Sequence, residues 1–381
     1  MRILHTADLH IGRHLHGFSL AEDHQVVLDQ IVAALAEHQP DLFIIAGDIF
    51  DRPIPPASAA KQFNRFLNRS REVCSAAIVA IAGNHDNGDR IEAMAIMSDP
   101  DHDLIRGALR MDELPLILRD TAGEVAVSAL PFAYENAAKE CFEDEGITSP
   151  EEVIKAQISA ARKHVPAGAR WVIVAHAFVA GGKSSESEKT LTRVGGIEFV
   201  SAEVFEGANY VALGHLHKPQ TAGSDVIRYS GSPLAFGFDE EGSTKSMTLV
   251  DLQPDGGVDV SLLPLTPRRE LRTVKGRLEE LLSTSPSDDY LKIVLTDNTP
   301  QIEPMPRLRS VFPNACILTY ERDERAIETK PDAAARRALL DDPIGLIGAF
   351  MEQTRDEPIR ETEHPLVVKA LADLRDKEAS A

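Results

Sequence analysis

The sequence predicts an α/β fold: a largely parallel sheet with helices on its faces, closed by a second sheet, then a small α+β unit and a pair of C-terminal helices. Two observations carry it. Over the first ninety residues, apolar branched runs alternate with longer amphipathic segments in the order β-α-β-α-β. Five such runs along the chain end abruptly in Asp, His, Gly-Asp, Gly-Asn or Gly-His, and open α/β sheets place their ligands at the carboxyl ends of strands.

Arg2 to Ala7 is the first strand and runs into Asp8-Leu9-His10. Leu20 to Gln39 carries Val26, Val27, Ile31 and Leu35 at near-helical spacing, and Pro40 stops it. The second strand, Leu42 to Ala46, ends in Gly47-Asp48. Pro53 to Pro56 is a loop, after which Ser58 is placed to cap a helix with Phe63, Phe66 and Leu67 toward the core. Ala77 to Ala82 is a third strand, leading into Gly83-Asn84-His85-Asp86. Leu116 to Leu118 and Val125 to Val127 are short strands. Ser149-Pro150-Glu151-Glu152 opens a helix with a Ser cap, Pro at the first position and acids in the first turn.

Further on, Trp171 to Ala175 ends at His176, and Tyr210 to Leu213 ends at Gly214-His215-Leu216-His217. The Gly- and Ser-rich stretch Ala180 to Ser187 is a loop beside the site these ends define. Val226 to Ser230 and Ser246 to Leu252 read as antiparallel strands closing a second sheet. From Arg268 the pattern changes to shorter elements: strands at 271–274, 291–295 and 316–320, helices at 278–282 and 305–311. The charged, Ala-rich residues 330–337 read as a linker. Two amphipathic helices follow, 343–354 with Ile344, Ile347 and Met351 on one face, and 365–377 with Val368, Leu371 and Leu374.

At 381 residues the chain is long enough for one large core plus smaller units. No apolar run approaches the roughly 20 residues that span a bilayer, and the N-terminus lacks the regions of a signal peptide. The expectation is a cytoplasmic protein. Cys74, Cys141 and Cys316 are too scattered for a disulfide framework or a metal site and read as packed thiols. A net charge of −20 argues against holding nucleic acid by overall electrostatics. If nucleic acid is the substrate, positive charge comes from bound metals, a local patch or a basic partner.

The strand ends carry the chemistry. Asp8 and His10, alternate residues leaving a strand, offer a hard oxygen and a borderline nitrogen to one ion, which suits Mn²⁺, Fe²⁺ or Zn²⁺. Asp48 can bridge two ions with its two oxygens, and Asn84 adds a neutral amide oxygen. His176, His215 and His217 complete a set that fits two metals better than one.

Asp8-x-His10, Gly47-Asp48-x-x-Asp51, Gly83-Asn84-His85-Asp86, His176 and Gly214-His215-x-His217 resemble the ordered motif set of the calcineurin-like metallophosphoesterases. The likeness is closer still to the bacterial SbcD nuclease subunits. It extends through Met1 to His10, Gly231-Ser232-Pro233-Leu234, the α+β unit and the helical tail. The resemblance implies a two-sheet metallophosphoesterase sandwich flanked by helices, with Asp8, His10, Asp48 and His217 on one divalent ion and Asp48, Asn84, His176 and His215 on a second, the expected metal being Mn²⁺. His85 would point at the scissile phosphate as a proton donor.

Where archaeal and eukaryotic relatives carry a histidine, this chain has Asp51, whose carboxylate is placed to orient His85 and keep it a donor. The phosphoprotein phosphatases have Asp-Arg there, so Arg52 becomes a candidate for bidentate phosphate contact. Arg13, Arg90, Lys183 and Lys218 leave the same rim and are candidates for contacts to a phosphate backbone.

By the same resemblance, residues 1–265 form the nuclease domain and 266–329 an α+β capping, DNA-binding domain. Residues 330–381 form a linker and helical tail that docks on an SbcC-type, SMC-like ATPase, with two copies of this chain in a heterotetramer. The implied activity is Mn²⁺-dependent DNA repair nuclease, exonuclease on duplex ends and endonuclease on single strands and hairpins, associated with the nucleoid. The competing readings are a phosphomonoesterase or cyclic-nucleotide phosphodiesterase with the same metals, which needs no capping unit or tail, and an architectural subunit of an ATPase machine.

Overall fold

The computed structural model describes residues 1–95, 99–188, 192–193, 196–197, 199–323, 343–355, 359–360 and 362–370. The expected linker at 330–337, and Leu371 and Leu374 of the expected last helix, lie outside the described residues. The chain divides into two compact units.

The first unit, Met1–Thr273 with Pro286–Lys292 and Phe312–Ile317, contains two six-stranded sheets. One sheet runs Val258–Leu265, Lys245–Leu252, Arg2–Thr6, Leu42–Ala46, Ala77–Ile81, Leu104–Arg106; its last four strands are parallel and its first two antiparallel. The other runs Gln220–Thr221, Ile227–Tyr229, Tyr210–Gly214, Arg170–His176, Gly123–Leu130, Leu116–Asp120, parallel in the centre with an antiparallel strand at each edge.

Between the sheets, Ile3, Leu42, Ile44, Val79 and Ile81 of the first meet Val125, Val127, Val172, Val174 and Ala212 of the second. The opposite faces are covered as well. Helices Ala21–His38 and Ala57–Val73 bury Leu28, Ile31, Leu35, Phe63 and Phe66 against the first sheet. Helix Pro150–Arg162 buries Ile154 and Ile158 against Trp171 and Ile173 of the second. Burial on both faces is why Leu42–Ala46 and Ala77–Ile81 read as continuous apolar runs rather than alternating ones.

Two sequence expectations are corrected. Ile227–Tyr229 and Lys245–Leu252 do not close a sheet together: the former lies parallel to Tyr210–Gly214 in the second sheet, the latter antiparallel to Arg2–Thr6 in the first. An apolar strand reports that its faces are buried, not which neighbour takes its hydrogen bonds. Ser58 does not cap its helix, which begins at Ala57 after Pro56, with no side-chain cap bond. Pro56 fixes the extended entry itself. Ser149 does cap the Pro150–Arg162 helix, accepting from the Glu152 N–H at 3.3 Å.

The parallel ladder between Arg2–Thr6 and Leu42–Ala46 continues past both strands. Asp8 N–H donates to Gly47 O at 3.0 Å, His10 N–H to Asp48 O at 2.9 Å and Ile11 N–H to Ile49 O at 3.0 Å. This brings the turn carrying Asp8 and His10 alongside the turn carrying Asp48.

The second unit comprises Val274–Ser285, Ile293–Val311 and Leu318–Ala381. Leu278, Leu281, Ile293, Val294, Leu295 and Leu308 are its buried apolar residues among those described. Asp297 accepts from the Leu278 N–H at 2.8 Å, satisfying the start of helix Leu278–Leu282. Strands Leu271–Gly276, Tyr290–Leu295 and Ala315–Tyr320 form a three-stranded sheet in that order. On helix Pro343–Arg355 the expected apolar stripe is shifted: Ile344, Ile347 and Met351 are half-buried, and Leu346 and Phe350 are the exposed ones. Residues 364–370 are helical, with Leu366 and Val368 exposed. No helix among the described residues is long and apolar enough to cross a membrane.

His5 sits within the first sheet, fully buried, its Nδ1 at 2.9 Å from the Tyr210 hydroxyl. Burial pushes its pKa down to about 3, against roughly 6.5 when unfolded. Because the folded value is the lower one, the unfolded chain binds the extra proton in this window, and stability present above pH ~6.5 is lost as pH falls toward 3. In EDTA-treated protein, urea midpoints should drop between pH 7.5 and 5. The His5→Gln variant should drop less steeply, by about one proton, worth on the order of 1 kcal/mol per pH unit. Equal slopes for the two proteins would contradict the assignment.

Candidate metal centre

All seven side chains read from the sequence as ligands meet at one rim. Asp8, His10, Asp48, Asn84 and their neighbour His85 come from turns after strands of the first sheet. His176 ends a strand of the second sheet, and His215 and His217 follow another. Asp8, His10 and His217 form one group whose ligand atoms lie within 4.8 Å of one another; Asp8, Asp48 and His176 form an overlapping one. Asp48 Oδ2 is 3.6 Å from both His10 Nε2 and His176 Nε2, between the two halves.

The backbone is strained where these side chains turn inward. Asp8, His10, Asp48 and His215 have φ of 53°, 45°, 48° and 108°, a region that costs a non-glycine residue roughly 1 kcal/mol or more each. The ladder of main-chain bonds holds the first three there. Gly47, at φ 89°, leaves room for His176: a Cβ on it would stand 2.2 Å from His176 Nδ1.

Hydrogen bonding fixes the ring orientations. His176 Nδ1–H donates to Ala46 O at 2.9 Å, so its Nε2 lone pair faces Asn84 Oδ1 at 3.0 Å. His215 Nδ1 approaches the same oxygen at 3.0 Å. His10 Nε2 and His217 Nε2 face each other at 3.2 Å. A lone pair aimed at a carbonyl oxygen is repulsive unless a cation lies among them, and imidazole, carboxylate and amide donors together suit a divalent ion. The residues therefore fit the metals that the motifs imply.

Charge points the same way. Burial pushes His176 down to about 3 and His217 to about 4, and holds His10 and His215 well below the ordinary value, so all four rings are neutral with a lone pair to offer. Asp8 is driven up by burial and then by the Asp48 charge, as expected of carboxylates crowded without positive charge.

Residues 1–219 match the calcineurin-like phosphoesterase family. The chain belongs to this family. A second match, over residues 267–355, is to the SbcD C-terminal domain, described as the type 5 capsule protein repressor C-terminal domain. The two domains together are those of the SbcD-type phosphoesterases. Among solved structures, similar chains include a Thermus thermophilus protein at 14% identity and TM-score 0.40, covering 68% of this chain and 98% of its own. Another is the GAP50 anchor of the Plasmodium inner membrane complex, at 8% and 0.40, covering 84% and 96%. As in the phosphoesterase family, the clustered His and Asp side chains are suited to divalent metal ions.

The expectation that Asp51 orients His85 through its carboxylate is corrected. His85 Nδ1–H donates to the Asp51 main-chain carbonyl at 2.9 Å. The carboxylate turns to Arg13 at 3.2 Å, with His10 Nδ1 at 3.9 Å and Arg52 Nε at 3.9 Å. A guanidinium is the stronger, charge-assisted donor, and it takes the carboxylate. Arg13 is engaged on three sides: by Asp51, by Ser187 O at 3.2 Å, and by the Phe236 ring, whose centroid is 4.7 Å from the guanidinium carbon. It braces the site more than it faces solvent. Arg52, Arg90 and Lys183 are exposed and Lys218 is half-buried.

Several functional side chains escaped sequence reasoning. Ser187 Oγ lies 2.8 Å from His217 Nδ1 and donates to Glu240 Oε1 at 2.7 Å. Glu240 is buried beside Lys245, whose Nζ also donates to His217 O at 2.9 Å and Ser232 Oγ at 3.0 Å. Burial opposes charge on Glu240, but His217 and Lys245 together hold its carboxyl below the usual range. Glu188 accepts from the His217 N–H at 2.6 Å. Asp86 accepts three main-chain N–H groups, from Ile49, Phe50 and Gly83 at 2.9–3.0 Å, and ties two ligand-bearing turns together. Asp86 carried a signal through its place in the Gly83-Asn84-His85-Asp86 motif and Ser187 through the loop beside the site, whereas Glu188, Glu240 and Lys245 carried none.

These groups orient the candidate ligands, and losing such support around a metal typically costs 10–100-fold in affinity. Ser187→Ala should weaken Mn²⁺ binding by about tenfold in calorimetric titration while leaving the urea midpoint of EDTA-treated protein unchanged. Unaltered affinity would leave Ser187 a loop residue.

Proposed function

We propose that this chain is a Mn²⁺-dependent DNA nuclease, an exonuclease on duplex ends and an endonuclease on single strands and hairpins, acting as the nuclease subunit beside an SbcC-type ATPase in DNA repair. The observation that carries the reading is one chain holding both the cluster of Asp8, His10, Asp48, Asn84, His176, His215 and His217 and the C-terminal domain matched over 267–355.

In this reading Asp8, His10, Asp48 and His217 hold one ion, and Asp48, Asn84, His176 and His215 the other. When bound, such a pair supplies Lewis-acid polarisation of a phosphodiester and lowers the pKa of water. The chain supplies the rest. Asp8 and Asp48 provide anionic charge, and Ser187 fixes the ring of His217. His85 has its Nδ1–H committed to the Asp51 carbonyl, and its Nε2 is 4.0 Å from Asp48 Oδ2. That leaves Nε2 as the ring atom from which His85 would pass a proton to the leaving oxygen. Arg52, Lys183 and Lys218 on loops, and Arg90 on helix Gly88–Met94, are the candidates for contacts to the phosphate backbone.

The acidic balance of −20 suits a subunit that borrows its duplex-binding surface from a basic partner. Exposed Leu346, Phe350, Leu366 and Val368 on short tail helices support docking on that partner, because helices of this length need a packing surface. Two copies of the chain in a heterotetramer, at the nucleoid in the cytoplasm, complete the proposal.

The test compares labelled duplex, hairpin and single strand with a phosphomonoester, in Mn²⁺, with and without the ATPase. DNA should be cut in preference to the monoester. His85→Ala should retain both metals by elemental analysis yet lose turnover by roughly 10²- to 10⁴-fold. Preference for the monoester, or loss of metal from His85→Ala, would contradict the reading.

A further inference from the structure

Beside the metal centre lies a cavity of about 520 Å³ that none of the proposed chemistry uses. Its lining includes Asn84, Asp86, Asp89, Phe132, Tyr134 and Glu140, so it shares Asn84 with the ligand cluster. Phe132 follows the Gly123–Leu130 strand and is held by its N–H to Ala82 O at 2.9 Å. Its ring centroid is 6.3 Å from that of His176 and 5.0 Å from that of Tyr134, edge-on to both. Tyr134, at the start of helix Glu135–Phe142, is 59% exposed, which leaves its ring open to a ligand.

The lining contains three carboxylates and no Lys or Arg. Asp86 is committed to main-chain donors, but Asp89 and Glu140 are exposed, and a carboxylate is a hydrogen-bond acceptor by nature. Phosphate is repelled from such a pocket, whereas a flat ring bearing N–H donors is complementary to it: aromatic faces stack it and carboxylates take its amino groups. We propose that this cavity receives the unpaired nucleobase of the nucleotide flanking the scissile phosphodiester. Tyr134 is the stacking platform and the Asp89 and Glu140 carboxylates read the base's donor edge. The inference rests on the nuclease reading and deepens it, because a base lodged here has left its partner strand. Substrates are therefore single-stranded, frayed or hairpin nucleic acid at the point of cleavage.

The test is a walk of single abasic sites through the first nucleotides of a single-stranded oligonucleotide, cleaved by the full chain in Mn²⁺. Wild type should show one position at which loss of the base raises KM roughly tenfold with little change in kcat. Tyr134→Ala should show that higher KM on the intact strand, with no further penalty from the abasic site at that position. Tyr134→Trp should restore wild-type behaviour. Direct binding to His85→Ala protein, read by fluorescence anisotropy, should show the same loss on adding Tyr134→Ala. If wild type cleaves the strand but no abasic position matters, or Tyr134→Ala raises KM equally on every substrate, the pocket is not a base site. If wild type cleaves only a phosphomonoester, the nuclease reading falls and the pocket's role with it.

Discussion

Asp48 is buried with Oδ2 at equal distance from the imidazoles of His10 and His176, while Oδ1 accepts the His85 N–H at 2.8 Å. A second carboxylate, Asp8, lies in the same group, itself fully buried and held by the His215 N–H at 3.0 and 3.1 Å. Two acids and four neutral imidazoles packed out of water are poorly compensated by protein alone, since buried charge needs an opposite charge close by. Much of the surrounding architecture answers that constraint. The two sheets bring their carboxyl ends to one rim. Positive φ values aim the ligands inward, and Gly83, where a Cβ would meet Asp48 Oδ1 at 2.2 Å, leaves space for the carboxylate.

Around the ligands lies a layer that sets their orientation. His217 is gripped on its ring by Ser187, on its N–H by Glu188 and on its carbonyl by Lys245. Phe236 packs edge-on against His10 and His217, at 5.2 and 5.4 Å between centroids. The buried Lys245–Glu240 pair is costly to break, since removing one partner of such a pair strands the other's charge, at about 3–5 kcal/mol. His24 adds a brace on the other side, with Nε2 at 2.8 Å from the carbonyl of Leu9, the residue between Asp8 and His10. Rigid support of this kind lets strained turns hold their ligands in place.

The sequence exposed the first of these layers and hid the second, for a physical reason. A strand that ends in a polar residue after five apolar ones leaves a local signature, so Asp48, His176 and His215 could be read directly. Glu240 and Lys245 sit among Asp239, Glu241 and Ser246 and look like ordinary surface polar residues, because their burial is decided by contacts far along the chain. The same distinction explains Lys245–Leu252: its apolar character announced a buried strand, but its pairing with Arg2–Thr6 spans most of the first unit. It also explains Asp51, where the residue was identified from the motif while the choice between carbonyl and carboxylate depended on Arg13.

The central claim is that two cations complete this cluster, one on each side of Asp48. Its most direct test is anomalous scattering at the manganese edge from crystals of the full chain soaked in Mn²⁺. The account predicts two peaks, one among Asp8, His10, Asp48 and His217 and one among Asp48, Asn84, His176 and His215. A single peak, or peaks that leave Asp48 out of contact with either ion, would contradict it.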